Sequence, residues 1–106
     1  MENNPNAALA AAIERLWVQF LPQMHERVDT LATAAGSVAA GTLSQEQRQG
    51  AQAAAHKLAG SLGMYGYDHG TRLARQLELL LDYPTPDPAQ IRTLATQLRS
   101  SLFPET

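Results

Sequence analysis

Hydrophobic residues recur along this chain at intervals of three and four, the spacing that gathers side chains onto one face of an α-helix. Leu9, Ile13, Leu16, Trp17 and Phe20 form a first stripe, and Leu21, Met24, Val28, Leu31, Ala35 and Val38 a second. Ala51, Ala55, Leu58, Leu62 and Tyr65 form a third, Leu73, Leu77 and Leu80 a fourth, and Ile91, Leu94, Ala95, Leu98 and Leu102 a fifth. Helix signals punctuate these runs. Asn4 reads as an N-cap with Pro5 at the first helical position. Pro22 predicts a kink or the start of a new helix, and Gly36 and Gly41 mark the end of the second segment. Ser44 with Gln47 three residues on reads as a capping box. The third segment ends near Tyr65-Gly66, and the proline-rich stretch from Tyr83 to Pro88 reads as a loop. Asp87 caps the last helix, Pro88 opens it, and Gln90 is placed to complete a second capping box.

The predicted helices run over about 5–20, 22–40, 44–65, 67–82 and 88–102. Four long helices with one apolar stripe each, joined by short turns, predict an all-α antiparallel four-helix bundle. The short first helix is expected to lie across one end. The chain has 106 residues and reads as one domain over 1–106. Trp17 and Phe20 read as core.

Composition narrows the function classes. The chain is rich in Ala, Leu and Gln, with 44% hydrophobic and 6% aromatic residues, which suits helix rather than sheet. It has no cysteine, which excludes disulfides and thiolate metal sites and fits a cytoplasmic location. No apolar run approaches the roughly 18 residues of a membrane span, so no membrane association is expected. The N-terminal Met-Glu-Asn-Asn-Pro lacks the basic and apolar regions of a signal peptide. Net charge is −2 with scattered basic residues, which disfavours a nucleic-acid partner. Lys57 is the only lysine.

The most informative stretch is Ala55-His56-Lys57-Leu58-Ala59-Gly60-Ser61-Leu62-Gly63-Met64-Tyr65-Gly66. On a helix His56 shares its face with Gln49, Gln52, Ala53, Ala59, Gly60 and Gly63, none of them bulky and none charged. It lies roughly 160° around from Leu58. The histidine is therefore expected to stand exposed on a smooth patch while the Leu58 stripe is buried. A glycine inside a helix costs about 1 kcal/mol relative to alanine, so Gly60 and Gly63 beside the histidine suggest that something comes close to it.

These residues resemble the signature of histidine phosphotransfer (HPt) domains. The family pattern is a histidine, a hydrophobic residue two on, usually a lysine three on, a glycine four on, often a serine next, and a glycine ten on. Here those places hold His56, Leu58, Ala59, Gly60, Ser61 and Gly66. Ala59 departs from the pattern, and Lys57, directly after the histidine, is also common in the family. The resemblance implies a helical bundle, and a role as phosphoryl carrier in a two-component phosphorelay. His56 would be the phosphoacceptor, receiving phosphoryl from an aspartyl-phosphate receiver domain or a histidine kinase system and passing it to a response regulator. The implied partners are response-regulator receiver domains and a hybrid histidine kinase. The receiver would supply Mg²⁺, the chain having no cofactor or metal of its own and no enzymatic machinery. A monomer is expected.

Within this reading Gln49, Gln52, Ala53, Ala59, Gly60 and Gly63 form the docking surface. Gly60 allows the closest backbone approach, and Gln49 and Gln52 can bond the ring or the phosphoryl group. Ala59 cannot supply the charge of the family's lysine, so either Lys57 supports the phosphoryl charge in its place or that charge is dispensed with. Ser61 reads as a packing or backbone-bonding residue. Glu78 reads as solvated, with orientation of His56 as the lesser alternative. Arg72 and Arg75 read as a solvated face or as receiver contacts. His25 and His69 read as ordinary surface histidines, and no pair of the chain's histidines has metal-motif spacing.

Three other functions compete. The phosphoacceptor module of a sensor kinase usually has an acidic residue after its histidine and an Arg-Thr-Pro-like stretch; here Lys57 follows, and no glycine-rich ATP-binding segment exists. A catalytically silent helical adaptor is left open by Ala59. A hydrolase using His56 as base needs a nucleophile and an orienting acid, and the pattern offers neither.

Overall fold

The computed structural model describes residues 5–104. It contains α1 (Pro5–Ala40), α2 (Gln45–Met64), α3 (Asp68–Leu81) and α4 (Pro88–Leu102). No strand occurs among the described residues. α1 packs on α2, α2 on α3, α3 on α4, and α4 closes back onto α1, while the backbones of the diagonal pairs stand farther apart. This is the all-α four-helix bundle that the stripes predict.

The first helix differs from the expectation. Residues 5–20 and 22–40 do not form two helices, and no short helix crosses the end of the bundle among the described residues. α1 runs unbroken through Pro22 for 36 residues. A proline in a helix interior removes the bond from its own nitrogen to the carbonyl four residues back, here that of Val18. Val18 is 60% exposed and Pro22 is also exposed, so water can take the orphaned carbonyl. A helix of this length spans about 54 Å, and the molecule's longest extent is 61 Å. The first buried side chain of α1 is Met24, so its N-terminal part projects past the shorter helices. Trp17 and Phe20 are partly buried against the core rather than inside it. Trp17 stacks on Tyr67 (centroids 4.7 Å) and meets Tyr65 edge-on (5.1 Å), which clasps the α2–α3 turn.

The helix ends follow local chemistry. Gly41 (φ +71°) ends α1 and Gly66 (φ +78°) sits in the α2–α3 turn, both in the left-handed region that favours glycine. The Ser44–Gln47 capping box forms with both bonds present. At α4, Asp87 accepts from the Ala89 N–H, but the reciprocal bond expected of Gln90 does not form: Asp87 engages the second N–H of the helix rather than the third. The cap expected at Asn4 lies outside the described residues.

The core is built from the predicted stripes. Val28, Leu31, Leu58, Leu62, Leu77 and Leu98 are fully buried, and among the described residues no polar or charged side chain is buried with them. Truncating a leucine at such a site costs about 2–5 kcal/mol. In α3 the inward position is Leu81, fully buried, while Leu80 is only partly covered. Gly70 marks a close approach of helices: a Cβ there would stand 3.1 Å from Leu62 Cδ1 and 3.5 Å from Leu102 Cδ2.

Candidate functional site

The antiparallel seam between α2 and α3 positions the site. One side of α2 presents Arg48, Gln52 and His56 at successive turns, and α3 presents Glu78 and Asp82 one turn apart. Arg48 fixes the register at one end: its Nη1 donates to the carbonyls of Leu81 and Tyr83, each at 2.6 Å, and its Nη2 to that of Pro84 at 3.2 Å. These bonds take carbonyls at and just beyond the C-terminus of α3, where intrahelical donors run out. One turn along α2, Gln52 Nε2 donates to Asp82 Oδ1 at 3.2 Å. One turn further, His56 Nδ1 meets Glu78 Oε2 at 2.8 Å. Toward the other end Thr71 lies against Gly63, and its hydroxyl reaches the Ala59 carbonyl at 3.5 Å.

The His56 side chain is 77% exposed, and that of Glu78 is 34% exposed. A carboxylate only accepts hydrogen bonds. The pair therefore places the imidazole proton on Nδ1 and leaves the Nε2 lone pair available to an incoming electrophile. An open hollow beside the ring is lined by Gln52, Ala53, Glu78, Leu79 and Asp82. No hydroxyl or thiol lines it, so a nucleophile for a His56-based hydrolase is not at hand there, although an orienting acid is.

Most residues expected around His56 are where the helix pattern puts them. Gln49, Ala53, Gly60 and Gly63 are exposed, and Gln52 is half-buried through its bond to Asp82. Ala59 is a correction. It is only 5% exposed, because it lies about 60° around α2 from His56 on the side covered by α3, so it is no part of an exposed docking surface. Lys57 is exposed, about 100° from His56 on the opposite flank, and makes no hydrogen bond or ion pair with any described residue. No neighbouring helix comes within 4 Å of where a Cβ on Gly60 would stand, so packing does not require a glycine there. Ser61 is a packing residue, half-buried and accepting from Arg27 Nη1 at 3.3 Å.

Sequence reasoning underweighted Glu78 and passed over Asp82 and Leu79. Gln52/His56 and Glu78/Asp82, each spaced by four on consecutive antiparallel helices, carry the signal for the two carboxylates. Leu79, 66% exposed beside the histidine, falls outside the core stripe and has no periodic signature. Of the other histidines, His25 stacks on Phe103 at 3.6 Å and His69 is exposed. No group of side chains able to hold a metal ion occurs among the described residues.

The Hpt domain family model matches residues 15–102. The chain belongs to the Hpt domain family. The match spans α2 and α3 in full, and so includes His56 and Glu78. Hpt membership carries a histidine phosphotransfer role in a phosphorelay, with response regulators or kinases as partners of the family. A curated relative, Protein RcaC of Microchaete diplosiphon, is 31% identical over 96 residues, covering 87% of this chain. The chain spans about 15% of that relative's length. No solved structure matches the chain. No helix among the described residues is long and apolar enough to cross a membrane.

Proposed function

We propose that this Hpt chain is a phosphoryl carrier that takes phosphoryl from the aspartyl phosphate of one receiver domain onto His56 and delivers it to the aspartate of another. The observation that carries the reading is the hydrogen bond between His56 Nδ1 and Glu78 on an otherwise open helix face. The Nε2 lone pair forms a bond to phosphorus while the acyl P–O bond breaks, and its electron pair stays on the aspartate carboxylate. The ring keeps its Nδ1 proton and gains positive charge, which the Glu78 carboxylate stabilises. Delivery to the second aspartate is the reverse. Alignment and charge stabilisation dominate phosphoryl transfer, so a positioned imidazole and a receiver carrying its own Mg²⁺ suffice. The chain itself then needs no cofactor and is no enzyme.

Docking uses the exposed strip of Gln49, Ala53, Gly60 and Gly63, with Gln52 and Leu79 at its edge. The empty space over Gly60 admits the receiver's active-site loops to the ring. Lys57 lies on the flank of this strip, where its ammonium meets phosphoryl oxygens as a point charge. A cytoplasmic monomer acting between receiver domains, one of them in a hybrid kinase, fits this chemistry. The sensor-kinase and silent-adaptor alternatives are less well supported: the first lacks its flanking motif, and the second leaves the oriented, exposed His56 without a purpose.

The test is transfer from a receiver domain carrying labelled phosphoryl, followed in both directions. Label should move to the parent protein as an acid-labile adduct, not to His56→Gln, and should leave again on addition of a second, unphosphorylated receiver. Absence of label on the parent, or equal label on His56→Gln, would overturn the reading.

A further inference from the structure

We propose that Arg75, on α3, is a second phosphoryl-binding cation of this domain beside Lys57, reaching the group on His56 from across the helix seam; this rests on the carrier reading above. The register of the seam carries it. Gln52 pairs with Asp82, His56 with Glu78, and Gly63 lies against Thr71. Each turn forward on α2 is matched by a turn back on α3. The step between His56 and Gly63 is Ala59-Gly60, and its counterpart between Glu78 and Thr71 is Arg75. Arg75 is exposed and forms no hydrogen bond or ion pair with any described residue.

The charge at the site explains why a cation is needed there. Glu78 and Asp82 set two carboxylates against the His56 side of the seam. A phosphoryl group on Nε2 adds negative charge beside them. Ala59 offers no charge, being buried and with its carbonyl facing the Thr71 hydroxyl. Arg75 stands opposite that position, three residues, about 4.5 Å, along α3 from Glu78. Gly60 beside it leaves open space for a guanidinium to cross. A guanidinium presents paired N–H donors that match phosphoryl oxygens, and it keeps its charge at any working pH. Lys57 lies on the other flank of His56, so the two cations bracket the phosphoryl group from opposite sides.

The isolated protein is phosphorylated with phosphoramidate. Nε2 bonds to phosphorus, the phosphoramidate P–N bond breaks, and its nitrogen leaves as ammonia. The phosphohistidine is then titrated by ³¹P NMR in the parent, Arg75→Gln, Arg75→Lys and the double variant Arg75→Gln/Ala59→Lys. A cation held near the group favours its dianion. Arg75→Gln should raise the phosphoryl titration by about half a pH unit, and Arg75→Lys should retain most of the parental value. Ala59→Lys should restore part of the loss. At equilibrium with a receiver domain, Arg75→Gln should shift phosphoryl toward the receiver by roughly threefold. An unchanged titration and unchanged distribution in Arg75→Gln would overturn the proposal, as would a raised KM for the receiver with the titration unmoved, which would make Arg75 a docking contact. If the parent takes up no phosphoryl on His56, the carrier reading itself fails.

Discussion

Glu78 holds the tautomer of His56, and removing it should slow phosphoryl transfer more than it harms the fold. In Glu78→Ala the imidazole divides between its two neutral tautomers, and only the Nδ1–H form keeps a free lone pair on Nε2. The phosphorylated ring also loses the carboxylate that faces its Nδ1 proton at 2.8 Å. A hydrogen bond to a charged group is worth about 1.5–3 kcal/mol when well sheltered. Here the histidine is 77% and the glutamate 34% exposed, so solvent reduces this to about 0.5–1.5 kcal/mol. That corresponds to roughly a twofold to twelvefold slower single-turnover transfer. Glu78→Gln keeps an acceptor for Nδ1–H but loses the charge, and should fall between parent and alanine variant. Unfolding midpoints should differ little, since surface changes generally stay within about 0.5 kcal/mol. The assay is rapid-quench transfer from a phosphorylated receiver, with ¹⁵N NMR of the ring in parallel. Parental rates and an unchanged tautomer in Glu78→Ala would refute the argument.

Three further outcomes are expected. Gly60→Gln should leave thermal stability unchanged or raised, because the helix gains propensity and the space is empty, yet it should block transfer; unimpaired transfer measured with a cognate receiver would remove the close-approach argument. Lys57→Ala should slow transfer by roughly threefold to tenfold while binding of the unphosphorylated receiver, read by calorimetry, stays near parental. Pro22→Ala should raise the denaturation midpoint, since the helix already runs through this site and regains a hydrogen bond from residue 22 to the Val18 carbonyl.

The helical stripes were legible because each is a local property of α-helical periodicity. Met24, Val28 and Leu31, Leu58 and Leu62, Leu77, and Ile91 and Leu98 are buried as their spacing predicts. The ends of α2, α3 and α4 fell close to their capping and turn residues for the same reason. Pro22 misled because its cost depends on what surrounds the orphaned carbonyl, and solvent reaches that face of α1. His56 was legible as an exposed side chain, since its helical angle from Leu58 fixes that. Ala59 was not legible as buried: only the position of α3 decides whether a residue about 60° from His56 is covered. Glu78 lies 22 residues from His56, so its role depends on the α2–α3 register, which Arg48 and the short turn at Gly66 set together.

If His56 presents Nε2 for phosphoryl transfer, the phosphoryl group itself must be found on that nitrogen. Uniformly ¹⁵N-labelled protein, phosphorylated by a receiver domain and examined by ¹⁵N–³¹P correlation NMR, reports which nitrogen carries phosphorus. A single adduct is expected on Nε2 of His56, with the Nδ1 proton retained, and none in His56→Gln. Phosphorus on Nδ1, on His25 or His69, or on no histidine at all would contradict it.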